Sequence, residues 1–260
     1  MKLGVSCSPE YWSLLREIGY DYAEGYFAKL ALDDEDEFRK LCERRASAEI
    51  DVEVFNGFFA SNVELYAKDR AKNEADIANY AEKGFFRAKI LGASLAVIGS
   101  GKARTIPLDM EREETEERFL SILRILGDMA KRYEMRLAIE PLSHAETNLI
   151  GTVAEGHRFA MRTGCENVGT MIDLFHAFSN GDSLDSLKTA KDTLFHVHIA
   201  RPASDRRVPT EFDNVACMDL AKALKDIGYK DRISLEAVFG ANMERDLRDA
   251  YAVMQIFRDE

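Results

Sequence analysis

Cysteine, proline and tryptophan are scarce in this chain of 260 residues, which has four, five and one of them respectively. The cysteines, Cys7, Cys42, Cys165 and Cys217, lie far apart and form no CxxC pair, which excludes both a disulfide scaffold and a cysteine-rich zinc site. They read as reduced thiols, and the expected location is the cytoplasm. No Pro/Gly/Ser-rich linker interrupts the chain, so a single domain over residues 1–260 is expected. Nowhere does an apolar run reach the length of about eighteen residues that a membrane span needs. The opening MKLGVSCSPEYWSLLREIG has one lysine and a short apolar run broken by Ser and Pro, so it lacks the apolar core of a secretory leader. Positive charge is also short. Against 46 Asp and Glu stand 35 Lys and Arg, a formal net charge of −11 and a pI near 5.1. A nucleic-acid partner needs a basic face to displace counterions, and this balance argues against one.

What remains suffices for a large core, with 46% hydrophobic and 31% charged residues. Short apolar runs rich in β-branched and aromatic residues alternate with longer segments of helical period, the pattern of βα units around a parallel sheet. Eight strands are expected, over 2–6, 22–25, 51–55, 95–98, 136–140, 169–173, 195–199 and 233–236. Between them, 114–132 repeats Phe119, Ile122, Leu123, Leu126 and Met129 at three- and four-residue spacing, an amphipathic helix with one face for packing. Another helix, 33–48, opens on DDEDE and carries ERR toward its end, charges that complement a helix dipole. Eight such units in about 250 residues are the usual size of a (β/α)8 TIM barrel. A doubly wound open sheet normally has a glycine-rich turn after its first strand. Here that turn is CSPEYW, and the α/β barrel is preferred.

Active sites of such barrels lie at the C-terminal ends of the strands. Strand five, RLAIE, ends at Glu140 and strand six at Asp173; strand seven, FHVHI, carries His196 and His198, and strand eight, ISLE, ends at Glu236. A charged group after several buried apolar residues is costly unless it is paired or binds a cation. Singly, each of these is better read as an ion-pair partner, a loop cap or a core histidine. Together, on four successive strands, they point to one divalent metal ion. Three carboxylates and an imidazole make a hard, oxygen-rich set suited to Mn²⁺ first, with Mg²⁺, Co²⁺ and Zn²⁺ as alternatives. Strand period two puts both histidines on one side, so spacing does not choose between them.

The segments IEPLSHAETN, MIDLFHA, HVHIA followed by DRRVP, and SLEA resemble the sugar phosphate isomerase/epimerase family of xylose isomerase-like TIM barrels, which includes the D-tagatose and D-psicose 3-epimerases. The likeness runs over about residues 90–240. It implies that Glu140 and Glu236 hold the metal and shuttle protons, with Asp173 and His198 as the other ligands. It further implies substrate contacts from His176, Glu146 and Arg206, although the stretch between His198 and Arg206 is about two residues longer than in the tagatose epimerases. The implied chemistry is proton transfer through an enediolate, by which a sugar or sugar phosphate is epimerised or isomerised. Dehydration of an inosose or isomerisation of hydroxypyruvate would use the same groups. Dimers and tetramers are common among such proteins, so a homodimer or homotetramer is expected.

Other signals carry less. GSGKAR, residues 99–104, lacks the Ser or Thr that a phosphate loop requires after its lysine, and Lys102 and Arg104 read equally as contacts for a substrate phosphate or as part of a surface loop. Tyr11, Trp12, Tyr26, Phe27, Phe58 and Phe59 follow the early strands and read equally as pocket wall or as ordinary packing. AP endonucleases share the barrel but need histidines at earlier strands, and the first histidine here is His144. A glycosidase reading of Glu140 and Glu236 leaves Asp173 and His198 without a task. A non-catalytic sugar-binding protein would be expected to have lost ligands, and none is missing.

Overall fold

The computed structural model describes residues 1–258, so the last two residues of the expected domain lie outside it. Eight strands close into a single barrel in chain order: β1 (Lys2–Ser6), β2 (Tyr22–Tyr26), β3 (Asp51–Asn56), β4 (Leu95–Ile98), β5 (Arg136–Ile139), β6 (Val168–Asp173), β7 (Leu194–Ile199) and β8 (Arg232–Leu235). Every pair is parallel, and β1 pairs with β8 to complete the ring. All eight expected strands are present. Glu140 and Glu236 fall one residue past β5 and β8, yet each still donates its backbone N–H to the neighbouring strand, to Ile98 and Ile199. The backbone of both residues is therefore held as in a strand.

The helix expected at 33–48 runs over Glu35–Ala48, because the Asp34 carboxylate accepts the Glu37 N–H and caps it. The helix expected at 114–132 begins two residues earlier, spanning Arg112–Arg132, and buries Phe119, Ile122, Leu123 and Leu126 against the barrel. Inside the ring, Tyr22, Val54, Leu95, Val97, Ala138, Met171 and Phe195 form a cluster separate from the larger helix-on-barrel core. This apolar plug is the floor beneath the site. Toward the N-terminal ends of the strands, Arg232 pairs with Asp231 at 2.8 Å and Glu53 at 3.2 Å, and Arg136 pairs with Asp231 at 2.5 Å.

Two register shifts lie beside the candidate site residues. Between β2 and β3, Ala23 opposes Val52 but Glu24 opposes Val54; between β6 and β7, Thr170 opposes Leu194 but Met171 opposes His196. An extra residue on one strand turns its neighbours, and such bulges recur beside active sites. After the second shift, Asp173 stands directly opposite His198.

Candidate metal centre

Asp173 closes β6 and starts the next helix in one step. One carboxylate oxygen accepts the N–H groups of Phe175 at 2.7 Å and His176 at 3.3 Å, and the other is left for the site. His198 reaches the same place from β7, its Nδ1 3.0 Å from Glu236 Oε2 and 3.3 Å from Glu140 Oε1. Asn56, the last residue of β3, donates to Glu236 Oε1 at 2.7 Å and to Ser6 Oγ at 3.0 Å, fixing the Glu236 rotamer. Glu140 packs over Gly99, where any Cβ would overlap its Oε2. One ligand atom from each of Glu140, Asp173, His198 and Glu236 lies within 4.8 Å of the other three.

Arg206 closes the ring of charge. Its Nη2 donates to Asp173 Oδ2 at 2.7 Å and Glu236 Oε2 at 2.5 Å, and its guanidinium lies 5.1 Å from the Phe175 ring centroid. Its backbone has φ +46°, in the left-handed region that favours glycine, so a specific turn aims this side chain inward. His176 accepts the Ser143 N–H at Nδ1, 3.1 Å away, so in the neutral ring Nε2 carries the proton. That Nε2 is buried, has no hydrogen-bond partner among the described residues, and lies 3.8 Å from Asp173 Oδ2. Glu146 sits at the rim, half-exposed, 3.6 Å from His176 Nδ1. Thus the four expected ligands and the three expected substrate contacts stand in one place.

Burial pushes Glu140 above the usual carboxylate range, and the Glu236 charge adds to this. Burial would raise Glu236 too, but the His198 and Arg206 charges outweigh it and hold Glu236 down to about 2. Burial alone would lower His198, yet the Glu24 and Glu236 carboxylates raise it well above its ordinary value. A divalent cation fits this donor set. Four buried or half-buried carboxylates, those of Glu24, Glu140, Asp173 and Glu236, face one guanidinium and the imidazoles, an acidic excess that a cation offsets.

Glu24 and Asn56 are the residues the sequence reading missed. Glu24 lies wholly buried in β2, with Oε1 2.9 Å from His198 Nε2 and Oε2 3.1 Å from His196 Nε2. Burial would raise its pKa, but the two histidines hold it well below the usual carboxylate range. The signal was a lone carboxylate within the apolar strand YAEGY, and a polar residue ending DVEVFN. Asn56 answers to the rule used for strands five to eight, whereas Glu24 lies inside its strand.

Arg104 does not serve as a phosphate contact. It is fully buried and donates to the carbonyls of Glu140 at 2.5 Å, Ile98 at 3.4 Å and Ile150 at 3.5 Å, so it fastens the strand ends behind Glu140. Lys102 lines a cavity of about 680 Å³ with Lys68 and Arg118, and none of the four ligand side chains borders it. Phe27 stacks on Phe58 with centroids 4.0 Å apart, and both contact Phe85, so these aromatics pack the shell between helices. Cys7, Cys42, Cys165 and Cys217 are all free. Burial raises Cys7 and Cys217 to about 12, which leaves both as inert thiols. Among the described residues no helix is long and apolar enough to cross a membrane.

The family model described as "Xylose isomerase-like TIM barrel" matches residues 12–256. A D-psicose 3-epimerase of Agrobacterium fabrum is 34% identical over 112 residues, covering 43% of this chain and 38% of that protein. An inosose isomerase of Bacillus licheniformis is 27% identical over 161 residues, covering 57% of this chain and 55% of the relative. The chain spans about half the length of the curated relatives it matches. Among solved structures, the IOLI protein crystallised with a zinc atom superposes with a TM-score of 0.75 at 21% identity, over 100% of this chain and 99% of the other.

Proposed function

The chain belongs to the xylose isomerase-like TIM barrel family, and from that premise we propose that it is a divalent-metal-dependent sugar epimerase or isomerase working by proton transfer through an enediolate. The observation that carries this reading is the convergence of Glu140, Asp173, His198 and Glu236 within 4.8 Å at the mouth of one barrel. Glu140 follows β5 and Glu236 follows β8, so the two glutamates approach the centre from strands separated by β6 and β7. A planar enediolate held between them exchanges its proton with one carboxylate on each side, which inverts a carbon centre. Return of the proton to the adjacent carbon gives aldose–ketose isomerisation instead.

Held by these four residues, a divalent metal supplies Lewis-acid polarisation of the substrate carbonyl and charge stabilisation, with Mn²⁺ the first choice for so oxygen-rich a set and Mg²⁺, Co²⁺ and Zn²⁺ the alternatives. Everything else falls to the chain. Asn56 keeps Glu236 in a single orientation, and Arg104 keeps the Glu140 backbone in place. The unpartnered Nε2–H of His176 and the rim carboxylate of Glu146 are a donor and an acceptor for sugar hydroxyls. Arg206, beside Asp173 and Glu236, is a cationic donor that helps hold the substrate's oxygens. The buried floor excludes water below the reacting carbons.

The inosose isomerase relatives favour a second reading in which the substrate is a keto-cyclitol, which presents the same carbonyl beside a carbinol. One experiment tests both. Elemental analysis of the purified protein is followed by proton-to-deuterium exchange in heavy water, read by NMR, on ketoses, ketose phosphates and an inosose, with and without added Mn²⁺. About one metal per chain and metal-dependent exchange at one carbon is the expected result. A protein that neither contains nor takes up metal would overturn the reading.

A further inference from the structure

We propose that Glu24 is a positioning residue for the metal centre: it holds His198 with Nδ1 turned to the metal, and His196 steadies Glu24. The proposal rests on the reading of Glu140, Asp173, His198 and Glu236 as ligands and adds a layer beneath them. An ionised carboxylate only accepts hydrogen bonds. Glu24 Oε1 lies 2.9 Å from His198 Nε2, and Oε2 lies 3.1 Å from His196 Nε2, so both imidazoles donate from Nε2. With Nε2–H committed to Glu24, the nitrogen that His198 offers to the site is Nδ1, the atom 3.0 Å from Glu236 and 3.3 Å from Glu140. An imidazole whose second nitrogen is held by a carboxylate has its tautomer and ring angle fixed, and its basicity as a ligand rises.

The fold is arranged for this. The β2–β3 register shifts at Glu24 and the β6–β7 register shifts just before His196, and the side chains of Glu24, His196 and His198 meet inside the barrel. His196 and His198 meet edge to face, ring centroids 4.8 Å apart at 82°, so neither ring can swing without moving the other. All three residues are fully buried, so bulk solvent does not satisfy their polar atoms. Among the described residues His196 Nδ1 has no partner, and the contact with Glu24 is the ring's only hydrogen bond.

Glu24, His196 and His198 also form a group spaced to ligate an ion of their own. The hydrogen bonds argue against that use. A second ion there would have to displace the protons of two buried imidazoles and share His198 with the first.

The test uses the full chain and Zn²⁺ alone as the probe. Zn²⁺ affinity and stoichiometry are measured by chelator competition, and imidazole ¹⁵N spectra are recorded on the Zn²⁺-loaded protein. For the unsubstituted protein the expected result is one Zn²⁺ per chain, with His198 protonated at Nε2 and ligated at Nδ1. Glu24→Gln places an amide donor against one of two Nε2–H groups and should weaken Zn²⁺ binding about 10- to 100-fold, while Glu24→Asp should recover part of the loss. His196→Gln removes only the brace, so His198 should keep its Nε2 proton with a smaller loss of affinity. Full Zn²⁺ affinity in Glu24→Gln, or Zn²⁺ bound through His198 Nε2, would overturn the role of Glu24 while leaving the metal site standing. Two Zn²⁺ per chain would overturn it in favour of a second ion. No Zn²⁺ bound by the unsubstituted protein would overturn the underlying reading and this proposal with it. Because the ¹⁵N spectra need no substitution, a variant that does not fold leaves the test intact.

Discussion

At the scale of single residues the proposed centre divides into groups that exchange protons and groups that place the substrate, and kinetics separates them. Glu236 has one oxygen fixed by Asn56 and the other shared by His198 and Arg206. Replacing it with Gln keeps the shape but removes a proton acceptor, so kcat at saturating metal should fall by about 10²- to 10⁴-fold, the usual share of a general acid–base group. Near-normal turnover would refute the two-glutamate mechanism. Arg206 acts differently. It bridges Asp173 and Glu236 from a neighbouring loop, so Arg206→Ala should raise KM by about tenfold with kcat changed far less, the mark of lost substrate binding. If kcat falls as far as kcat/KM, the guanidinium acts in the transition state instead.

Secondary-structure elements decide whether those residues meet, and here the sequence was informative in part. Strand cores such as RLAI and RISL are legible because a carboxylate that closes a buried apolar run must be paired or bind a cation; that rule yielded the candidates Glu140, Asp173 and Glu236, while the choice of His198 over His196 came from the family resemblance. Glu24 escaped because it sits inside its strand rather than closing it, and the histidines that pair with it come from β7, far away in the chain. Arg104 was misread for a related reason, since a basic residue after a GSG turn looks solvent-facing until the carbonyls of Ile98, Glu140 and Ile150 are seen around it. These elements carry their own tests. Gly99→Ala would press a methyl group against the Glu140 carboxylate, so it should weaken metal binding and cut turnover at least about tenfold while costing about 1–3 kcal/mol of stability. Arg104→Met leaves buried carbonyls unpaired and should cost about 2–5 kcal/mol in urea unfolding. Gly99→Ala with unchanged metal affinity would show that Glu140 has room to move.

Across the whole molecule the two ends of the barrel have different tasks. At the N-terminal end Asp231 is partly buried, which would raise its pKa, but the Arg136 hydrogen bond and the Arg232 charge hold it below the ordinary carboxylate value. A carboxyl group depressed in the folded state adds stability above its unfolded pKa, and that stability is lost as pH falls through the folded pKa. Asp231→Asn should therefore destabilise the protein at neutral pH and flatten the acid side of its stability curve, with activity per folded molecule unchanged. At the C-terminal end burial and the Glu236 charge raise Glu140, so its ionised form opposes folding, a cost that a bound cation would offset. Metal that binds only the folded chain stabilises it by RT ln(1 + [L]/Kd), about 2.7 kcal/mol at a hundredfold excess over Kd. For a chain of this size that corresponds to a rise in Tm of roughly 5–10 °C, estimated from about 2–4 °C per kcal/mol. Calorimetry of the chelator-treated protein against a Mn²⁺ series should show Tm climbing with the logarithm of metal concentration. The same series on Glu236→Gln should be shallower, whereas on Asp231→Asn it should run parallel from a lower start, because that residue lies at the far end of the barrel. A Tm indifferent to Mn²⁺, Mg²⁺, Co²⁺ and Zn²⁺ alike would mean that the four strand ends are held by Arg206 and His198 alone, and the enzyme reading would lose its metal.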